Sequence, residues 1–176
     1  MRSLLVAVAF FAAAYSSAEA TDVLTIGRVS FDFDAPSSPL TAGQQTFFRK
    51  YKDAVNHHNE AELMALQDGS MNSCAVVSRK SILQAFDKTI PDDAKVRFFR
   101  ANEDIAKEMG FGDLAYLSAQ PTAIFGISGR TASEREIKIV TILAPVRQTG
   151  ESFAFIPYCL TEKGKALLEQ KRGTQP

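Results

Sequence analysis

From Thr41 to Pro91 the apolar residues of this 176-residue chain recur with the 3.6-residue period of helices; from Val96 onward they fall in strand-like runs. That single change of period limits the fold more than any other feature. Helices first and a succession of antiparallel strands afterwards is the layout of an α+β domain, with helices packed on a curved, mostly antiparallel sheet. Thr41 with Gln44 forms a capping box, and Phe47, Phe48, Tyr51, Ala54 and Val55 then mark the apolar stripe of a helix ending near His57-His58. Asn59 with Glu62 opens a short second helix carrying Leu63, Met64 and Leu66, closed by Asp68-Gly69. Met71 to Val77 is ambiguous. Ser78 caps a third helix with Ile82, Leu83 and Phe86, which Pro91 stops.

Beyond Pro91, Val96-Phe98 begins a strand, and Leu114 to Ile127 reads as a long strand interrupted by Pro121. A paired central strand seldom holds proline, so Pro121 predicts an edge or a bulge. Glu136 to Val146 has apolar residues on both faces and is predicted central; Gln148–Glu151 turns it back into Phe153–Leu160. Thr161 caps a last helix through Leu168. Residues 102–109 fit helix or strand equally. Ahead of the first helix, Val29, Phe31 and Phe33 alternate with Ser30, Asp32 and Asp34, so Val23–Asp34 reads as one strand with a wet face, followed by the breaker Ala35–Pro39. The expected organisation is a leader at 1–20, a strand and linker at 21–40, one domain at 41–170 and a frayed tail at 171–176.

The leader is read from Met1-Arg2, the uncharged run Leu4–Ala14 and the small-x-small triplet Ala18-Glu19-Ala20. This is the three-part layout of a secretory signal peptide, and its apolar run is about half the ~20 residues that span a bilayer. The expectation is export, periplasmic or secreted, after cleavage near Ala20, with no transmembrane segment. Cleavage leaves 156 residues, 19 basic and 19 acidic, which disfavours general affinity for nucleic acid or anionic lipid. In an exported chain the pair Cys74 and Cys159 reads first as a disulfide, with two buried thiols as the alternative. Thirteen Phe and no Trp predict a core built on phenylalanine.

Several phrases resemble the nuclear-transport-factor-2-like superfamily, which includes ketosteroid isomerases and SnoaL-like cyclases. Tyr51-Lys-Asp-Ala54-Val-Asn56-His-His-Asn-Glu60 resembles the close of its first helix, Ser78-Arg-Lys-Ser-Ile82 the start of its third, and Gly112-Asp113-Leu-Ala115 a turn into a strand. Ile137–Val146 and Phe153–Leu160 resemble its two final strands, so the likeness runs over about residues 41–160. The resemblance implies a cystatin-like cone with an apolar cavity between helices and sheet. The strand before the first helix and the helix after the last strand depart from it.

Candidate chemistry is sparse. His57 and His58 are the sole histidines; neighbours on a helix do not share a face, so they make a poor metal chelate, and no Cys/His cluster has ligand spacing. His57 is a candidate general base, or simply a solvated helix end. The isomerases of the resembled superfamily move protons with a tyrosine and carboxylic acids in an apolar cavity, and Tyr51, Glu103 and Asp104 are the nearest such types here. No nucleophile elbow or phosphate-cradling glycine loop is present, and no cofactor is expected. Leu160–Leu168 looks like a DNA-binding phrase, but export and neutral charge oppose that reading. The expected function is an exported small-ligand-binding or protein-interaction domain of the cell envelope. The alternatives are an isomerase, dehydratase or cyclase acting on a hydrophobic small molecule, and a dimerisation module associating through the sheet face.

Overall fold

The computed structural model describes residues 22–69, 82–108, 120–133, 136–156 and 166. It is an α+β arrangement with two sheets. A two-stranded hairpin pairs β1 (Val23–Ile26) with β2 (Val29–Asp32), and a four-stranded antiparallel meander runs in the order β3 (Lys95–Arg100), β4 (Ala123–Ser133), β5 (Glu136–Thr149), β6 (Ser152–Phe155). The helices bounded within the described residues are α1 (Ala42–Asn56), α2 (Glu60–Ala65) and α3 (Glu103–Glu108), with a 3-10 turn at Gln84–Asp87.

Local signals act where the sequence places them. Thr41 caps α1: its hydroxyl accepts from the Gln44 amide at 3.3 Å while the Gln44 side chain accepts from the Thr41 amide at 2.9 Å. Asn59 caps α2 by accepting from the Glu62 amide at 3.2 Å. Phe47, Tyr51, Ala54 and Val55 turn their stripe inward. They meet the sheet face formed by Phe98, Phe125, Ile127, Ile142, Val146, Phe153 and Phe155, and this is the main core.

Two expectations need correction, and one left open is decided. Val23–Asp34 is a hairpin, because Gly27 takes φ +58° and reverses the chain at Gly27-Arg28. Pro121 lies ahead of β4, which is an interior strand paired on both sides, and the Leu114–Ala119 part of the expected strand lies outside the described residues. Residues 103–108 are helical: the Asn102 side chain accepts from the Ile105 amide at 2.8 Å and starts the turn. The Cys74–Cys159 pair, the Ser78 and Gly112-Asp113 phrases and most of the Thr161 helix lie outside the described residues.

Each face of the sheet has its own cover. Alternation along β4 sends Phe125 and Ile127 toward α1 and Ile124 the other way, where Phe31 and Phe33 of the hairpin and Ile105 of α3 pack on it. Gly126 sits on that second face beneath two rings. A methyl there would lie 2.8 Å from Phe99 Cε2 and 3.0 Å from Phe33 Cε1, so glycine leaves the space the rings fill. The outer edge of β6 is closed by the segment after α2, with Phe155 N–H donating to Leu66 O and Asp68 N–H to Phe155 O, both at 2.8 Å. Arg147 pairs with Asp68 and holds that segment down. Among the described residues, Phe98, Phe125 and Ile127 on one face and Phe99 and Ile124 on the other are covered by elements of the same chain.

Candidate functional site

The side of the sheet facing α1 is where a cone-shaped cavity is expected, and rings occupy it. Phe47 stands edge-on to Phe125 at 5.2 Å and lies 4.9 Å from Phe155; Phe98 lies 5.0 Å from Phe153. Tyr51 is one of this group, edge-on to Phe125 at 5.6 Å and 5.2 Å from Phe155, with 4 % of its surface exposed. Among the described residues nothing hydrogen-bonds its hydroxyl, and burial pushes the phenol well above its ordinary pKa of 10.0. Tyr51 is therefore a neutral O–H in an apolar interior. It can donate one hydrogen bond, and no described carboxylate or imidazole stands beside it to take its proton.

The other candidates lie elsewhere. His57 is exposed at the end of α1, its backbone N–H donating to Asp53 O at 3.0 Å and its ring Nδ1 lying 2.9 Å from the same carbonyl. As a hydrogen bond that contact requires the proton on Nδ1, since a carbonyl oxygen only accepts. His58 turns the chain with φ +53° and rests its ring 5.2 Å from that of Phe86. Asp104 and Glu103 are exposed in the first turn of α3, where negative charge suits the helix dipole. The neighbouring Ile105 packs with Ile124, so α3 lies across the sheet from Tyr51. The fold thus places Tyr51, His57 and Asp104 in three separate environments and assembles no acid–base group from them. Among the described residues no three His, Cys, Asp or Glu side chains are grouped to hold a metal ion.

Two polar constellations were not foreseen. Asn56, at the end of the Tyr51 phrase, clamps the buried Ile90 backbone with two 2.8 Å bonds, donating to Ile90 O and accepting from Ile90 N–H. Its place in the quoted phrase was the one available signal. Lys95 meets two carboxylates, Asp22 at 2.5 Å and Asp34, while Arg97 Nε donates to Phe33 O at 3.2 Å. This cluster ties the hairpin to β3 over a separation of more than sixty residues, and no local pattern announces it. The Lys95 ammonium, then the Asp22 amide, holds the Asp34 carboxyl below its ordinary 3.8, and Asp22 followed by Asp34 raises Lys95 above its ordinary 10.5. Among the described residues no helix is long and apolar enough to cross a membrane. No family model, curated protein or solved structure matches the chain.

Proposed function

We propose that the chain is an exported, non-enzymatic binding domain of the cell envelope that engages another protein through its surface, on a scaffold of the nuclear-transport-factor-2-like kind. One observation carries the non-enzymatic part: the α1-facing side of the sheet, where a substrate needs room, is packed with aromatic rings whose one hydroxyl, on Tyr51, has no described acid or base beside it. Proton transfer at carbon needs a base placed within hydrogen-bond reach of the proton it takes. The leader-like residues 1–20 support export, and helices ahead of an antiparallel meander support the scaffold.

Among the described residues nothing hydrogen-bonds the Tyr51 hydroxyl, and this favours a second reading. A small apolar molecule with one carbonyl or hydroxyl oxygen, accepting from Tyr51 inside the core, would give that group a hydrogen-bond partner. Calorimetric titration of the mature chain with a steroid ketone and a long-chain alcohol, alongside the Tyr51→Phe variant, separates the two. The surface-binding reading expects no saturable heat and no turnover in either protein. Saturable binding lost in Tyr51→Phe establishes the internal ligand instead, and turnover of either compound overturns the non-enzymatic reading.

A further inference from the structure

We infer that the N-terminal hairpin is a detachable strap: β1–β2 opens as a unit while α1 and β3–β6 stay assembled, uncovering the apolar strip Phe99, Ile124 and Leu143 around Gly126. Among the described residues no ladder joins the hairpin to the four-stranded sheet; side-chain packing, the Lys95 ion pairs and Arg97 Nε donating to Phe33 O attach it. Its apolar cluster, Phe31 and Phe33 with Ile105 and Ile124, is separate from the main core. Opening therefore leaves the α1 side undisturbed.

The polar ties are weak ones. The Lys95 side chain is 44 % exposed, that of Asp34 42 % and that of Asp22 17 %, and ion pairs that reach water contribute little because solvent screens them and flexible side chains must be held. The chain from Phe33 to Thr41 has no helix or strand and contains Pro36 and Pro39, so the hairpin connects to α1 through an irregular lead rather than a shared element. A free two-stranded hairpin is marginal in water, so strap and strip are ordered chiefly by each other. Closed, the protein exposes Val23 as the one large apolar side chain among the described residues. Open, it presents a strip shaped for aromatic rings, which makes strap position a control over when that surface meets solvent.

Native-state hydrogen exchange in rising, sub-denaturing urea tests the inference on the mature chain and its Phe33→Leu variant. The expected result is that ladder amides of Val23–Asp32 exchange at least 100-fold faster than those of Ile124–Ile127. Their opening should have a urea slope above zero and well below that of global unfolding. Phe33→Leu should speed hairpin exchange about tenfold and leave β4 amides within about twofold. A slope of zero means residue-by-residue fraying and overturns the strap. A slope shared with β4 means one cooperative unit and overturns it as well, as does a variant that accelerates both regions together or neither.

Discussion

Replacing Gly126 with alanine tests the two-faced packing of the sheet. The added methyl would stand 2.8 Å from Phe99 Cε2 and 3.0 Å from both Cε1 and Cζ of Phe33. Relaxed carbon contacts lie at about 3.5–4 Å, so three ring atoms must retreat by roughly half an ångström or more. Phe33 is 4 % exposed and edge-on to Phe99 at 5.3 Å, which leaves the pair little freedom. Overpacking of this kind costs about 1–3 kcal/mol, and alanine returns about 0.5–1 kcal/mol through its better fit to a strand. The centres of the two ranges leave a net loss of about 1 kcal/mol, seen as a fall of about 2–4 °C in the melting temperature followed by circular dichroism. Because the clash lies on the hairpin side alone, the double variant Gly126→Ala/Phe33→Leu should show a favourable coupling of about 0.5 kcal/mol or more. A Gly126→Ala protein as stable as the parent, or singles that simply add, would refute the packing described.

Removing the Asn56 clamp with Asn56→Ala leaves a buried amide and carbonyl of Ile90 without partners; urea unfolding should show a loss of about 2–4 kcal/mol, smaller in Asn56→Asp, which keeps the acceptor. Tyr51→Phe should change stability by less than about 1 kcal/mol, or raise it, since the hydroxyl it removes has no described partner; a larger loss in the same assay would reveal one. Gly43→Ala sets a methyl 2.0 Å from Glu151 O, a backbone atom that cannot swing away, and should lower stability by about 2–3 kcal/mol in thermal melts. Asp34 is depressed below 3.8 in the folded state, so its contribution to hairpin docking is present above 3.8 and is lost as pH falls through its folded value. Lys95 is raised above 10.5, so its contribution is present below 10.5 and is lost as pH rises through its folded value. Hairpin opening measured by hydrogen exchange, corrected for intrinsic rates, should stay level from about pH 5 to 9 and increase in acid as Asp34 takes up its proton.

Helix α1 was legible because its signals are local. The Thr41–Gln44 box and the stripe Phe47, Tyr51, Ala54, Val55 act within one or two turns, and the structure uses each as read. The central position of β5 was legible for a similar reason, since apolar residues on both faces of a strand require cover on both sides. The turn at Gly27-Arg28 was present in the sequence, but it sits inside an alternation that reads as one continuous strand. Pro121 was recognised as a breaker and misplaced, because a proline marks a ladder's end as readily as its edge.

Two matters were settled by tertiary structure alone. The first is what covers each face of the sheet. α1 takes one side, and the hairpin takes the other because Gly126 vacates the volume that Phe33 and Phe99 share, residues nearly a hundred and about thirty positions away. The second is the fate of the candidate groups. Tyr51, His57 and Asp104 carried suitable chemistry in the sequence, yet the fold buries the first, exposes the second and sets the third across the sheet. Residue type and spacing determine helices and strands through short-range hydrogen bonds and one-sided burial. Whether distant side chains meet depends on which faces the chain closes against each other, and that follows from packing volume summed over the whole core.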